Sequence, residues 1–323
     1  MAALTVVAFH AATQVFSVVA TGMAPVVVFF VLSGFVLSKS LNRDATASTF
    51  LRHRAFRLLP AAILTVGLMT VLFWQFGFFT GFLPSYDPVN VVLNALLIRS
   101  DINGPMWSLT VEVAAIPVIL LCHHAFRLYG YRPLALLVLV LFALSFWGLY
   151  VHALGGVTNL APLYSFVVGV MAYSYRISHR PEDMSVRGLQ AIELGALLVI
   201  GFAACRKQTA YTILLETASA ATLLIFIAST KAPTLFGKLL DLSPVRFLGR
   251  ISYSFYLLHL LGLSAALGIV PKLPDLPYAL ALFAVGTIAT IPMAWLMWRC
   301  VEVPFIQLGK GRRITGYESV YSR

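Results

Sequence analysis

The run RLLPAAILTVGLMTVLFWQFGFF, residues 57–79, carries one charged side chain in 23 positions. As an α-helix it would extend about 34 Å at roughly 1.5 Å per residue, enough to cross the ~30 Å hydrocarbon core of a bilayer. A soluble domain could hide such a helix only inside a larger core covered by polar surface. This chain lacks that surface: its 323 residues are 60% apolar and 11% charged, with a mean hydropathy of +0.89. Soluble domains carry about 45–50% apolar and about 25% charged residues. Lipid is the solvent for most of this chain.

Further apolar runs lie at approximately 1–20, 24–41, 107–126, 133–151, 159–176, 187–205, 209–230, 247–269 and 278–301. Together they predict an all-α polytopic membrane protein of about ten transmembrane helices in one bundle. A stretch at 89–98 is too short to span and is expected to lie in the interface or re-enter. No long polar linker or low-complexity segment interrupts the chain, and its halves show no convincing similarity, which weakens a repeat-built transporter. One membrane domain is expected at 1–306, with a cytoplasmic tail at 307–323. The first run lacks a basic lead and a cleavage site, so it is expected to stay in the mature protein.

The net charge of +11 would raise nucleic-acid binding in a soluble protein. Here the basic residues sit between apolar runs, where they orient helices instead. Of the 23 Lys and Arg, 19 fall in one alternate set of connections and tails; the other set holds Arg99, Arg206, Lys207 and Lys272. The positive-inside rule then places both termini in the cytoplasm of a multi-pass cell (inner) membrane protein. Cys122, Cys205 and Cys300 are far apart, and His123-His124 is adjacent rather than i,i+4. Neither pattern suits a metal or a disulfide framework.

Polar groups inside apolar runs carry the functional signal, because a charge at the centre of a span costs about 2.5–3.5 kcal/mol on insertion scales. His10 lies near the middle of the first run, as an interhelical hydrogen-bonding group or as a general base, a role its pKa near neutrality allows. Arg54 and Arg57 share a helix face at the start of the third run. They serve either as positive-inside anchors or as a bidentate clamp for the phosphates of a nucleotide-bearing donor. Ser108 and Glu112 share a face of the fourth run behind Trp107, and Glu112 is too deep to be ornament. Ser252, Tyr256 and His259 form one polar stripe in the ninth, read equally as interhelical hydrogen bonding or as acceptor binding. Glu193 and Glu216 have no such company and read as packing or interfacial residues.

Taken in order, several segments resemble acyltransferase family 3, the integral-membrane O-acyltransferases acting on carbohydrates and glycoconjugates. Phe29-Phe30-Val31-Leu32-Ser33-Gly34-Phe35 resembles that family's second-helix signature. Arg54-Ala55-Phe56-Arg57 is similar to its Arg-x-x-Arg motif, and Trp107-Ser108-Leu109-Thr110-Val111-Glu112 to its Trp-Ser-Leu-x-x-Glu segment. The closing motifs resemble Ser252 to His259 and Glu302-Val303-Pro304. The resemblance runs from Met1 to about Phe305. It implies a ten-helix domain with no bound cofactor and with cytoplasmic acyl-CoA, commonly acetyl-CoA, as co-substrate. It also implies a hydroxyl of a carbohydrate or glycoconjugate as acceptor. By the same carry-over His10 corresponds to the family's essential first-helix His, and Arg54 and Arg57 to the donor site. The family's first helix carries an Arg, ten residues, then the His; here that Arg would fall two positions before Met1, so an upstream in-frame start is expected to supply it.

The combined reading is direct acyl transfer. Arg54 and Arg57 bind the donor, His10 deprotonates the acceptor hydroxyl, and Glu112 orients the acceptor or stabilises the imidazolium. Ser108, Tyr256 and His259 support the acceptor. The rival is a carrier or exporter of a glycolipid or small polar solute, binding with the same groups but making no bond.

Overall fold

The structure, a computed structural model, describes residues 2–17, 22–43, 46–82, 84–146, 151–153, 156–158, 160–178, 185–227 and 234–311. In chain order the helices are α1 (Ala2–Thr13), α2 (Ala24–Arg43), α3 (Ala47–Phe76), α4 (Pro88–Ala95), α5 (Trp107–Tyr129) and α6 (Arg132–Ser145). A hairpin of β1 (Val151–Ala153) and β2 (Gly156–Thr158) precedes α7 (Leu163–Ser178), α8 (Val186–Ala204) and α9 (Ala210–Ile227). The chain ends in α10 (Leu235–Leu240), α11 (Ser243–Ile269), α12 (Asp275–Met297), a π-helical turn (Trp298–Glu302) and α13 (Val303–Gly309).

The all-α polytopic architecture holds, and every expected span corresponds to a helix. Among the described residues seven spans are long and apolar enough to cross a membrane. The other three are shorter than the apolar runs suggest. α1 stops at Thr13, whose hydroxyl donates to the His10 carbonyl at 2.9 Å and closes the last turn. α6 stops at Ser145, whose hydroxyl donates to the Phe142 carbonyl at 2.6 Å. α7 has 16 residues. Hydroxyl-to-carbonyl bonds of this kind compete with the backbone ladder, and hydropathy alone does not register them. α13 runs through the expected boundary at residue 306, and the tail beyond Gly311 lies outside the described residues.

Close helix pairs are made by missing side chains. A Cβ on Gly34 would stand 2.1 Å from the Phe166 carbonyl oxygen, and one on Gly169 would stand 2.2 Å from that of Val31, so α2 and α7 pack backbone to backbone. Gly262 does the same for α11 against α12, where a Cβ would meet the Thr290 hydroxyl at 2.0 Å. Without a hydrophobic drive between helices in lipid, such close van der Waals approach is a main source of association. Outward-facing Leu136, Leu139, Leu198, Phe202 and Ile288 are each more than half exposed. An apolar exterior of that kind suits hydrocarbon and would aggregate in water.

The connection from α3 to α5 folds back into the bundle. α3 ends at Gly77 in the left-handed conformation (φ 65°), and the Thr80 hydroxyl then reaches the Met69 sulfur at 3.9 Å. The Phe82 N–H donates to the Asp101 carbonyl at 2.8 Å, and Thr80 pairs with Asn103 in an isolated bridge. α4 begins at Pro88 behind an Asp87 cap, whose carboxyl is held below its ordinary value by hydrogen bonds from the Asn90 N–H and Ser85. That lowered value keeps the cap charged at neutral pH; its contribution fades only as acid protonates the carboxyl. Buried Leu97 takes a left-handed conformation (φ 59°), a strained one for a side chain of its size. The result is a plug packed against α3 and α11 rather than a surface loop.

Candidate active site

A cavity of about 280 Å³ opens where α1, the start of α2, the plug and α11 meet. His10 and Phe9 line it from α1, Gly22 and Met23 from the approach to α2, and Tyr256 from the middle of α11. Thr80, Phe82, Gly104 and Pro105 line it from the plug, with Trp107 at the head of α5. Gly22 has a left-handed φ of 66°, and a Cβ there would meet the Phe9 ring at 2.5 Å. Only glycine makes this turn and leaves Phe9 its place beside His10.

Two polar clusters flank the cavity. In the first, the Tyr256 hydroxyl donates to the Pro105 carbonyl at 2.8 Å and lies 2.9 Å from Ser108 Oγ. His259 stands next to His10, ring centroids 5.3 Å apart. Asn103 Nδ2 donates to the Leu257 carbonyl at 3.0 Å, tying the plug to α11 beside this group. The second cluster lies one turn of α5 away, about 6 Å along the axis. There Glu112 Oε1 accepts from Arg54 and, at 2.8 Å, from the Ser33 hydroxyl of α2. The Arg54 and Glu112 side chains are 11% and 4% exposed, so this is a buried ion pair. Its Glu112 Oε2 and Arg54 Nε find no partner among the described residues.

Arg57, one turn beyond Arg54, is exposed and makes no ion pair or hydrogen bond with a described residue, though its charge reaches Glu302. Glu302 sits in the π-helical turn and accepts from both the backbone N–H and the hydroxyl of Ser254. Tyr253 donates to the Leu58 carbonyl at 2.7 Å and closes the gap between α11 and α3. A widened π turn re-aims a side chain by one residue, which is why such turns gather at functional sites.

The structure thus brings His10, His259, Tyr256 and Ser108 together around one cavity and stacks Glu112, Arg54 and Arg57 beside it. His10 sits in the last turn of a short α1 rather than in the middle of a long span. Glu112 faces Arg54 and Ser33. The stripe on α11 is only partly as expected: Ser252 is exposed and bonds to the Gly249 carbonyl at 2.8 Å, while Ser254 turns inward. Sequence reasoning passed over Ser33, Asn103, Tyr253 and Glu302 as site groups. Ser33, Tyr253 and Glu302 lie inside motifs already singled out; Asn103 carried no signal of its own. Glu193 accepts from Thr234 at 2.8 Å and is a buried packing group. No cluster of metal-ligating side chains occurs among the described residues.

No solved structure matches this chain. It is 29% identical over 321 residues to the exopolysaccharide production protein ExoZ of Rhizobium meliloti (strain 1021), covering 95% of this chain and 96% of that protein. It is 24% identical over 322 residues to nodulation protein 10 of Rhizobium leguminosarum bv. viciae, covering 88% and 82%. An O-acetyl transferase of Shigella phage Sf6 is 30% identical over 105 residues, 28% of this chain and 32% of that protein. A family model described as an acyltransferase domain matches residues 1–299. That match takes in the cavity, both polar clusters and every helix through α12, and this chain belongs to acyltransferase family 3.

Proposed function

We propose that this protein transfers an acyl group, acetyl in the first instance, from cytoplasmic acyl-CoA to a hydroxyl of a carbohydrate or glycoconjugate. The observation that carries the reading is two chemistries side by side: an imidazole facing a cavity, and Arg54 held on Glu112 one turn of α5 from Ser108, with Arg57 next to it on α3. Relatives named for exopolysaccharide production and O-acetyl transfer support the acceptor class and the group moved.

Arg57, with no ion pair or hydrogen bond to a described residue, and Arg54 hold the phosphates of the donor. Their planar forks match phosphate oxygens in a way an ammonium does not. Glu112 acts through Arg54, fixing the guanidinium against α5 and α2. The thioester end reaches past Ser108 into the cavity. There His10 takes the proton of the acceptor hydroxyl as its oxygen attacks the thioester carbonyl; the thiolate leaves and recovers that proton. A positioned base contributes about 10²–10⁴-fold, and orientation of the two substrates supplies more. The basic connections put the arginine end at the cytoplasm of the cell membrane, with both termini on that side.

Purified protein incubated with labelled acetyl-CoA and candidate glycans should release free CoA and label the glycan. A carrier would bind the same molecules and leave the thioester whole. Bound but uncleaved acetyl-CoA across a broad acceptor panel would therefore overturn the proposal.

A further inference from the structure

The stripe on α11 contains a second histidine that the mechanism above leaves without a task. His259 is 1% exposed, and its ring lies beside that of His10 with the planes tilted by 34°. Its Nδ1 stands 2.6 Å from the Tyr256 carbonyl oxygen. A carbonyl oxygen can only accept, so Nδ1 carries the ring proton, and Nε2 of the neutral ring presents a lone pair. Charging the ring instead would bury an unpaired cation. That Nε2 is buried and meets no donor among the described residues. A buried polar atom without a partner calls for an explanation. Among the described residues, the rings in contact with His259 are those of His10 and Tyr256. The Tyr256 hydroxyl is committed to Pro105, whereas the His10 ring makes no hydrogen bond to a described residue.

We propose that His259 is the positioning residue for His10: its Nε2 accepts the His10 N–H once the acceptor fills the cavity, and this turns the other His10 nitrogen toward the acceptor hydroxyl. The inference rests on the reading of His10 as the general base. In the step itself the acceptor O–H proton passes to the free His10 nitrogen as the acceptor oxygen bonds to the thioester carbonyl carbon. The carbon–sulfur bond then breaks, and the thiolate takes the proton from the His10 imidazolium, leaving ester and thiol. His259 exchanges no proton. It fixes the tautomer of its neighbour and accepts a stronger hydrogen bond while that neighbour is charged, the part a carboxylate plays toward histidine in a hydrolase triad.

Two substitutions separate this role from packing. His259→Asn keeps an amide N–H near the Nδ1 position but has no atom where Nε2 stood; His259→Gln places an amide oxygen there. With radiolabelled acetyl-CoA and oligosaccharides prepared from the host's own exopolysaccharide, His259→Asn should lower kcat about 10- to 100-fold, with the KM for acetyl-CoA nearly unchanged. His259→Gln should recover at least about tenfold of that loss. Melting in detergent identifies any variant that does not fold, and His259→Gln then decides alone: kcat within about threefold of wild type supports the dyad, and a hundredfold loss overturns it. Folded His259→Asn with a kcat within twofold of wild type overturns the dyad alone, as does a folded Gln variant no better than Asn. Absence of transfer by the wild-type protein overturns the acyltransferase reading beneath it, and the dyad with it.

Discussion

His10, Arg54, Arg57 and Glu112 differ in what surrounds them, and each difference has a measurable consequence. His10 faces a cavity and makes no side-chain hydrogen bond within the described residues, so removing it leaves no buried partner stranded. His10→Ala is expected to abolish transfer while detergent stability stays near wild type; more than about a tenth of wild-type turnover would contradict a base worth at least roughly 10²-fold. Arg54 and Glu112 are the opposite case, buried and paired. Breaking such a pair from one side costs about 3–5 kcal/mol, because the remaining charge stays buried alone. Arg54→Met or Glu112→Leu should each lower the melting temperature markedly, and the double variant should recover much of the loss; additive losses would mean that the two side chains are not coupled. Arg57 is exposed with no described ion-pair partner. Arg57→Lys keeps its charge but not its fork, so acetyl-CoA affinity should fall appreciably, whereas Arg52→Lys should leave it unchanged. Equal affinities in the two variants would reduce Arg57 to an anchor.

At the scale of helices, glycines with and without room beside them predict opposite outcomes. Gly34→Ala drives a methyl into the Phe166 carbonyl and should cost about 1–3 kcal/mol or more by prising α2 from α7. Gly67→Ala on α3 meets nothing within 4 Å and should be neutral or gain up to ~1 kcal/mol of helix propensity. Thermal denaturation in detergent orders the two; a Gly34→Ala protein as stable as Gly67→Ala would refute the close packing. Such contacts mark the limit of what the sequence makes legible. Each span was readable because lipid demands about 20 apolar residues in a row, a local property. Where a helix stops was not: hydropathy ran through Thr13 and Ser145, where α1 and α6 end with a hydroxyl bonded back to a carbonyl. The site shows the same division. His10, Arg54 and Glu112 stood out as polar groups in apolar runs, but their pairing did not. Ser33 lies 79 residues from Glu112, and Glu302 lies 48 from Ser254, separations that leave no pattern in a linear chain. Asn103 looked like an ordinary turn residue until the plug folded back on α11.

Across the whole molecule, the column of polar groups has a direction. It starts at Arg54 with Glu112, passes Arg57 and Glu302, then Ser108 with Tyr256, and ends at His259 and His10 beneath the plug. α3 sets the polarity: its arginines lie near its start, and its far end leads into the plug residues Thr80 and Phe82 that line the cavity. On the proposed reading, an acyl group taken up at one end and released at the other moves partway across the bilayer during transfer. Which end faces the cytoplasm is an expectation from the loop charges. With 19 of 23 basic residues in one alternate set of connections and tails, the positive-inside rule predicts the arginine end inside and the plug outside. Reporter fusions test this directly. A fusion after Gly156, in the hairpin between α6 and α7, should be active only outside, and one after Pro181, beyond α7, only inside. α7 is short at 16 residues, so this pair also asks whether it crosses at all. A cytoplasmic signal at Gly156 would reverse or break the arrangement and strand the donor arginines on the side without acyl-CoA. Two outside signals would mean that α7 dips and returns, and the count of crossings on either side of it would have to change.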